Sequence, residues 1–277
     1  MRIHLGGSSR QSLVIARGKL DAAVKGASAT TASELSTQLF FAAEVFAANT
    51  SLRRAFADPS RDEASKVALV KDLFGSKISS TTSELLSAVA GLRWSAAGDL
   101  VVVIEQLAIE AEATAANAEG AIDRLESEFF EVSRLIADNF ELRKALVGNG
   151  SVDAKGALIA EVLSKSASSS TVKLAVALVT SLRGRSIEAA FADYLFGIAN
   201  RRNRLIAHVR VAAEITDAQK SRLAAAIEKQ VGQPISVNIQ VDSSIIGGVS
   251  VKFADELVDG SISNRLAGAG RALAGQN

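Results

Sequence analysis

Three groups of residues could in principle do chemistry, and the glycines near the C-terminal end come first. The stretch SSIIGGVSVKFADELVDGSISNRL pairs Gly247 with Gly248 and adds Gly260, the composition of a loop that could cradle a phosphate. Such a loop needs G-x-x-x-x-G-K-[ST], because the lysine and hydroxyl contact phosphate and magnesium. Gly248 is followed by Val249 and offers neither. The run GAGRALAG from Gly268 has the wrong spacing for a dinucleotide fingerprint and follows no predicted strand. These glycines therefore read as backbone devices, a bulge or close approach within a strand and a turn after Asp259.

Histidines and carboxylates are no more suggestive. His4 and His208 are the two histidines of the chain, far apart and without cysteine, so neither a zinc site nor, lacking a G-x-S-x-G elbow, a hydrolase triad is indicated. The carboxylates are scattered along predicted polar helix faces, where solvation and i, i+4 pairing are the default. Arg201, Arg202, Arg204 and Arg210 form a basic cluster. A nucleic-acid site would need interleaved aromatics or a groove-reading helix, whereas cations in the last turn of a helix meet its negative dipole end. Helix termination, with an acidic protein partner as a further option, is the favoured reading. No catalytic residue, cofactor or metal ligand is assigned.

The elements that would position these residues follow from composition and periodicity. The chain has 277 residues, 48% of them hydrophobic, enough for more than one domain with its own core. Lysine plus arginine number 31 against 30 acidic residues, so no global field steers the chain toward polyanions. The absence of cysteine fits a reducing compartment. The N-terminus lacks the apolar core of a signal peptide, and the most apolar run, Leu100 to Ile104, stops at Glu105, far short of a membrane span.

From Ser9 to about Arg204 the apolar period is helical. Ser60 with Glu63 and Thr81 with Glu84 read as capping boxes, each ahead of an apolar stripe. Short amphipathic helices with short links predict helical bundles. A repeat spaced by roughly 90 residues runs through this region. Phe40, Phe46, Asn49, Leu52, Arg53 and Phe56 match Phe130, Ile136, Asn139, Leu142, Arg143 and Leu146, and KVALVKDLF from Lys66 matches KGALIAEVL from Lys155. The stretch between the copies, IEAEATAANAEGAIDRLESEFFEV, has few breakers and is expected as one long helix shared by both, weakest at Gly120.

After Arg204 the period becomes two. AHVRVAAEI and ISVNIQVD read as strands, separated by a helix that Thr216 and Gln219 cap and Gly232 and Pro234 stop. Further strands follow at about Gly248 to Phe253 and Leu257 to Asp259, then a last helix from Ser261. The predicted fold is mostly α: a first bundle at 1–117, a second at 118–205, and a small α+β domain at 206–277.

The C-terminal residues resemble the end of the delta subunit of F-type ATP synthase, the oligomycin-sensitivity-conferring protein family. The resemblance rests on Asp242, Ile245, Gly247 and Gly248 for a D-x-x-I-x-G-G strand, then Asp255, Asp259, Gly260 and Ser261 for D-x-x-x-D-G-S, with Arg265 and Leu266 following. The second bundle occupies the position of the family's single helical domain, so the first is an extra copy, as in a long actinobacterial-like variant.

The resemblance implies a non-catalytic stator part, peripheral on the cytoplasmic face of a bacterial plasma membrane and held there only through the complex. Implied partners are the N-terminal helices of alpha subunits, the C-terminal helices of b subunits and, as a further contact, the beta subunit; nucleic acid is not among them. A groove between first and fifth helices would take the alpha helix. In the first copy it would be lined by Val14, Ile15, Leu20, Leu85 and Val89, in the second by Leu174, Leu178 and Leu182, and the second copy is expected to keep the alpha-binding role. The competing readings are a free helical adaptor and a nucleic-acid binder using Arg201 to Arg210.

Overall fold

A computed structural model describes residues 5–231, 236–242, 249–253 and 256–259, and these divide into two compact units, 1–199 and 200–277. The first unit is all helix: α1 Gly7–Ala23, α2 Ala29–Ala48, α3 Thr50–Ala57, α4 Glu63–Phe74, α5 Ser80–Ala90, α6 Asp99–Ala118, α7 Ile122–Asp138, α8 Phe140–Val147, α9 Val152–Leu163, α10 Ser169–Thr180 and α11 Ile187–Leu205. The last helix runs on into the second unit.

The repeat is visible in the caps. Asn49 and Asn139, 90 residues apart, each end one helix and start the next, accepting a hydrogen bond from the amide of Leu52 at 3.1 Å and of Leu142 at 3.0 Å. Ser79 caps α5 and Ser168 caps α10, each paired with a threonine three residues on. Each cap satisfies an orphan amide of the first turn. Two expected capping boxes are displaced: Asp62, not Ser60, caps α4, and Ser79, not Thr81, caps α5. Asp58 holds the Ser60 amide and hydroxyl at 2.9 and 2.6 Å, leaving the next carboxylate in chain order to take the amide of Ser65.

With α1 to α5 matching α6 to α10, and α6 matching α11, the two repeats overlap: α6 is the last helix of one and the first of the next. It does not continue into α7. Gly120 adopts φ +70°, the Ala121 amide reaches Ala116 O at 2.8 Å and the Gly120 amide reaches Asn117 O at 2.9 Å. That pairing ends the helix with a left-handed glycine, so the expected long helix is broken at its weakest point.

Each repeat has an aromatic centre. Phe46 meets Phe56 and Phe74 edge-on at 5.0 and 5.7 Å in the first, while Phe129 meets Phe191 at 5.1 Å and lies flat on Tyr194 at 5.9 Å in the second. Burying such a ring contributes about 1.5–3 kcal/mol. The start of α1 is pinned to the α5–α6 loop and the first residue of α6: Ser9 accepts from the Ser95 amide at 2.8 Å and donates to Asp99 at 2.7 Å. Gly6 is required there, since a Cβ would sit 2.4 Å from that of Ser95.

In the second unit β1 Ile206–Val211, α12 Asp217–Val231, β2 Ser236–Val241, β3 Val249–Phe253 and β4 Glu256–Asp259 form a four-stranded sheet in the order β2-β1-β3-β4. The pair β1–β2 is parallel with α12 as the crossover, and the other two pairs are antiparallel. Thr216 and Gln219 form the expected reciprocal cap, amide to Oε1 at 2.8 Å and amide to Oγ1 at 3.3 Å. Val209, Val211 and Ile227 make the core, with Leu223, Ile239 and Val251 against it. The helix expected after Ser261 lies outside the described residues.

Candidate functional site

Among the described residues no three His, Cys, Asp or Glu side chains converge as metal ligands, and no helix is long and apolar enough to cross a membrane. The polar groups that do converge lie along α6. Of its 20 residues, 16 are buried, including Glu105, Gln106, Glu110 and Glu112. A charge moved out of water must be paired and hydrogen-bonded or it is lost to protonation, and each of these carboxylates is paired.

Glu110 faces the first repeat, taking Arg17 Nη2 at 2.6 Å and Nε at 2.7 Å. Glu105 faces the second, meeting Arg183 at 3.0 Å, Arg185 at 2.9 Å and the Tyr194 hydroxyl at 3.1 Å. Arg183 has φ 51° in the α10–α11 loop and is followed by left-handed Gly184, a turn that aims two guanidinium groups at one carboxylate. Burial pushes the Tyr194 hydroxyl well above its ordinary range, with the Glu105 charge adding to it, so the hydroxyl stays a donor. Burial opposes the charge on Arg185, yet Glu105 outweighs it and holds the guanidinium above its usual value.

Glu112 touches both repeats. It accepts from Ser33 of α2 at 3.0 Å, from Ser170 of α10 at 2.6 Å and from Lys173 of α10 at 3.0 Å, and Lys173 donates onward to the Ser33 carbonyl at 3.0 Å. The ring of Phe40 stacks on Tyr194 at 6.2 Å with 14° between planes. Gly197 lets α11 approach α6 so closely that a Cβ would come 2.4 Å from Gln106 Nε2. Sequence reading placed these carboxylates on solvated faces. The missed signal is their neighbourhood: they sit in an apolar and alanine-rich run, VVVIEQLAIEAEATAA, that leaves no wide polar face.

The residues singled out for docking are distributed unevenly. Val14 and Ile15 are 68% and 43% exposed on α1, whereas Leu20, Leu85, Val89, Leu174 and Leu178 are buried in the cores of their own repeats. Leu182 is half-buried and lies beyond the end of α10. The α6/α10 seam, counterpart of α1/α5, is walled by α2 around a polar cleft of about 260 Å³ that includes Ser33, Glu34, Glu112 and Lys173.

Of the signature residues, Asp242 donates its amide to Val211 O at 2.8 Å and sets its carboxylate 3.3 Å from Arg210, clamping the ends of β1 and β2. Asp259 pairs in register with Ser250 on β3. Ile245, Gly247, Gly248, Asp255, Gly260, Ser261, Arg265 and Leu266 lie outside the described residues. Arg201 is buried, which removes one member of the basic cluster from the surface a polyanion would need, and Arg210, itself exposed, is paired with Asp242.

Two helical repeats fused through one helix, followed by a small α/β unit, define a mainly helical scaffold whose buried charges serve its own assembly. Its lineage is given by comparison: the ATP synthase delta (OSCP) subunit family model matches residues 109–273, and the chain belongs to that family. It is 39% identical over 269 residues to "ATP synthase subunit delta" of Streptomyces coelicolor, covering 97% of this chain and 98% of that one. The protein of that name from Kineococcus radiotolerans is 38% identical over 270 residues, covering 97% and 98%. These relatives span the first repeat as well, while the family model begins inside α6 and takes in the second repeat and the C-terminal unit. The protein is accordingly a stator, or peripheral-stalk, subunit of an F-type ATP synthase, a structural part of that complex.

Proposed function

We propose that the protein ties the alpha/beta head to the C-terminal helices of b subunits, on the cytoplasmic face of a bacterial plasma membrane, and that the α1/α5 seam of the first repeat receives an alpha N-terminal helix. The observation that carries the second part is the sharing of α6. Because one helix ends the first repeat and begins the second, the first-and-fifth-helix seam of the second repeat is walled by α2 and lined with polar groups. On α1, one of the two helices of the corresponding seam of the first repeat, Val14 and Ile15 are exposed, and a helix docking by its apolar face needs such a surface. This reverses the expectation that the second copy grips the head.

Holding a head against torque needs slow dissociation, not reactive groups. Co-purification of the tagged chain from native membranes with alpha, beta and b subunits tests the linkage. For the seam, Val14→Asp with Ile15→Asp is expected to weaken binding of an alpha N-terminal peptide at least about tenfold, and Leu182→Asp to leave it within about twofold. The reverse pattern returns the site to the second repeat.

A further inference from the structure

The overlap of the repeats leaves one face unmatched. In the first repeat the α2/α6 face is covered by the second: Tyr194 of α11 lies flat on Phe40, Gly197 of α11 abuts Gln106, and Arg183 and Arg185 reach Glu105. Moved on by 90 residues, Phe40 becomes Phe130, Glu105 becomes Leu195 and Gln106 becomes Phe196. Among the described residues no third repeat covers the corresponding α7/α11 face. Phe130 and Phe196 are 52% and 44% exposed, and beside them a cleft of about 240 Å³ opens between α7 and α11, walled by Ile136, Ala137, Ile187 and Phe191.

We propose that this α7/α11 face docks an amphipathic helix of another stalk subunit, one whose apolar stripe carries an aromatic ring for Phe130 and a carboxylate beside it for Arg134. The proposal rests on the stator reading above. The chain supplies its own example of the occupant, since the equivalent face of the first repeat holds a helix, α11, that offers an aromatic ring and a small residue at the crossing. The substitutions then define how the new occupant differs. Where the first repeat presents Glu105 and Gln106, the second presents Leu195 and Phe196, so the incoming surface is apolar there. That argues against a second copy of this chain stacked in the same way, because its Arg183 would be buried against Leu195 and Phe196 with no carboxylate to meet, and its Arg185 would keep only its own Asp193. Two charged residues line the cleft, Arg134 and Glu188; Glu188 meets Arg143 at 3.7 Å, and the exposed Arg134 favours an acidic flank on the helix that lies in it.

The test uses the full chain in the assembled synthase, with photoreactive benzoylphenylalanine in place of Phe130 or Phe196 and the adduct mapped by mass spectrometry. The expected adduct lies on a helical segment of a stalk subunit with an apolar, aromatic-bearing stripe. An adduct within residues 206–277 of the same chain, on a second copy, or on a non-helical segment overturns the proposal, as does no adduct in a complex that retains the chain. Failure of the chain to co-purify with the synthase would instead remove the stator reading, and this inference with it. As a second measurement, Phe130→Ala with Phe196→Ala should leave the unfolding transition in place, both rings being exposed, and speed dissociation of a peptide of the mapped helix at least about tenfold. An unchanged dissociation rate also overturns it.

Discussion

Where the first repeat ties α2 to the start of α5 through a neutral amide, the second ties α7 to the start of α10 through a carboxylate. Gln38 Oε1 accepts from the Ser79 amide at 2.9 Å and from the Thr82 hydroxyl; 90 residues on, Glu128 Oε2 accepts from the Ser168 amide at 2.8 Å and from the Ser168 and Thr171 hydroxyls at 2.7 Å each. Burial would raise the Glu128 carboxyl, but these donors and Arg124 outweigh it and hold it down at about 2. The joint is the same and its response to acid is not. Between the matched joints geometry is kept more strictly than charge.

The sharpest test of that idea is Glu105, which faces the second repeat although it sits in a helix of the first. Glu105→Ala strands Arg183, leaves Arg185 with only Asp193 at 3.3 Å, and should cost about 3–5 kcal/mol in denaturant unfolding. A loss below about 1 kcal/mol would mean that the shared helix does not couple the repeats. Next come the matched rings: Phe40→Ala removes a stacked, half-buried ring and should cost about 2 kcal/mol, whereas Phe130→Ala in the isolated chain should cost under about 0.5 kcal/mol. Equal losses would break the distinction between a covered and an open face. The two asparagine caps make the opposite prediction, for Asn49→Ala and Asn139→Ala should each cost about 1 kcal/mol.

The smallest effect concerns pH. The folded carboxyl of Glu128 lies below its ordinary value of 4.5, so its contribution is complete above that value and fades as pH falls from about 4.5 toward about 2. Glu128→Gln should flatten the thermal midpoint across that window, and Gln38→Glu should add a second contribution of the same sign, each under about 1 kcal/mol. Matching pH profiles for the two variants would show that the joints differ in name only.

Much of this was readable beforehand because it is local. Helical period, the asparagine match at Asn49 and Asn139, the Thr216–Gln219 cap and the strand order in residue number depend on neighbours a few positions apart. The cap positions at Asp62 and Ser79 were missed by two residues because several hydroxyls and carboxylates compete for one amide, and only backbone direction decides among them. Glu105, Glu110 and Glu112 were missed for a larger reason. Their burial depends on partners about 60 to 90 residues away, and a single sequence records the charge without recording the cation that meets it. The docking leucines erred in the opposite direction: an apolar stripe is equally suited to a core and to a groove, and Leu20, Leu85 and Leu174 belong to cores.

The tight turn at Gly120 and the overlap before it bear on how such a chain came to be. Two complete six-helix bundles in tandem would have twelve helices, and among the described residues up to Leu205 there are eleven, α6 serving in both repeats. A duplication that reuses a helix cannot be undone by cutting between halves. A shortened version beginning at residue 109, where the family match starts, would lack Glu105 and leave Arg183 and Arg185 without their common anion. A chain shortened in that way needs a new anion for Arg183, whereas Arg185 keeps Asp193 at 3.3 Å.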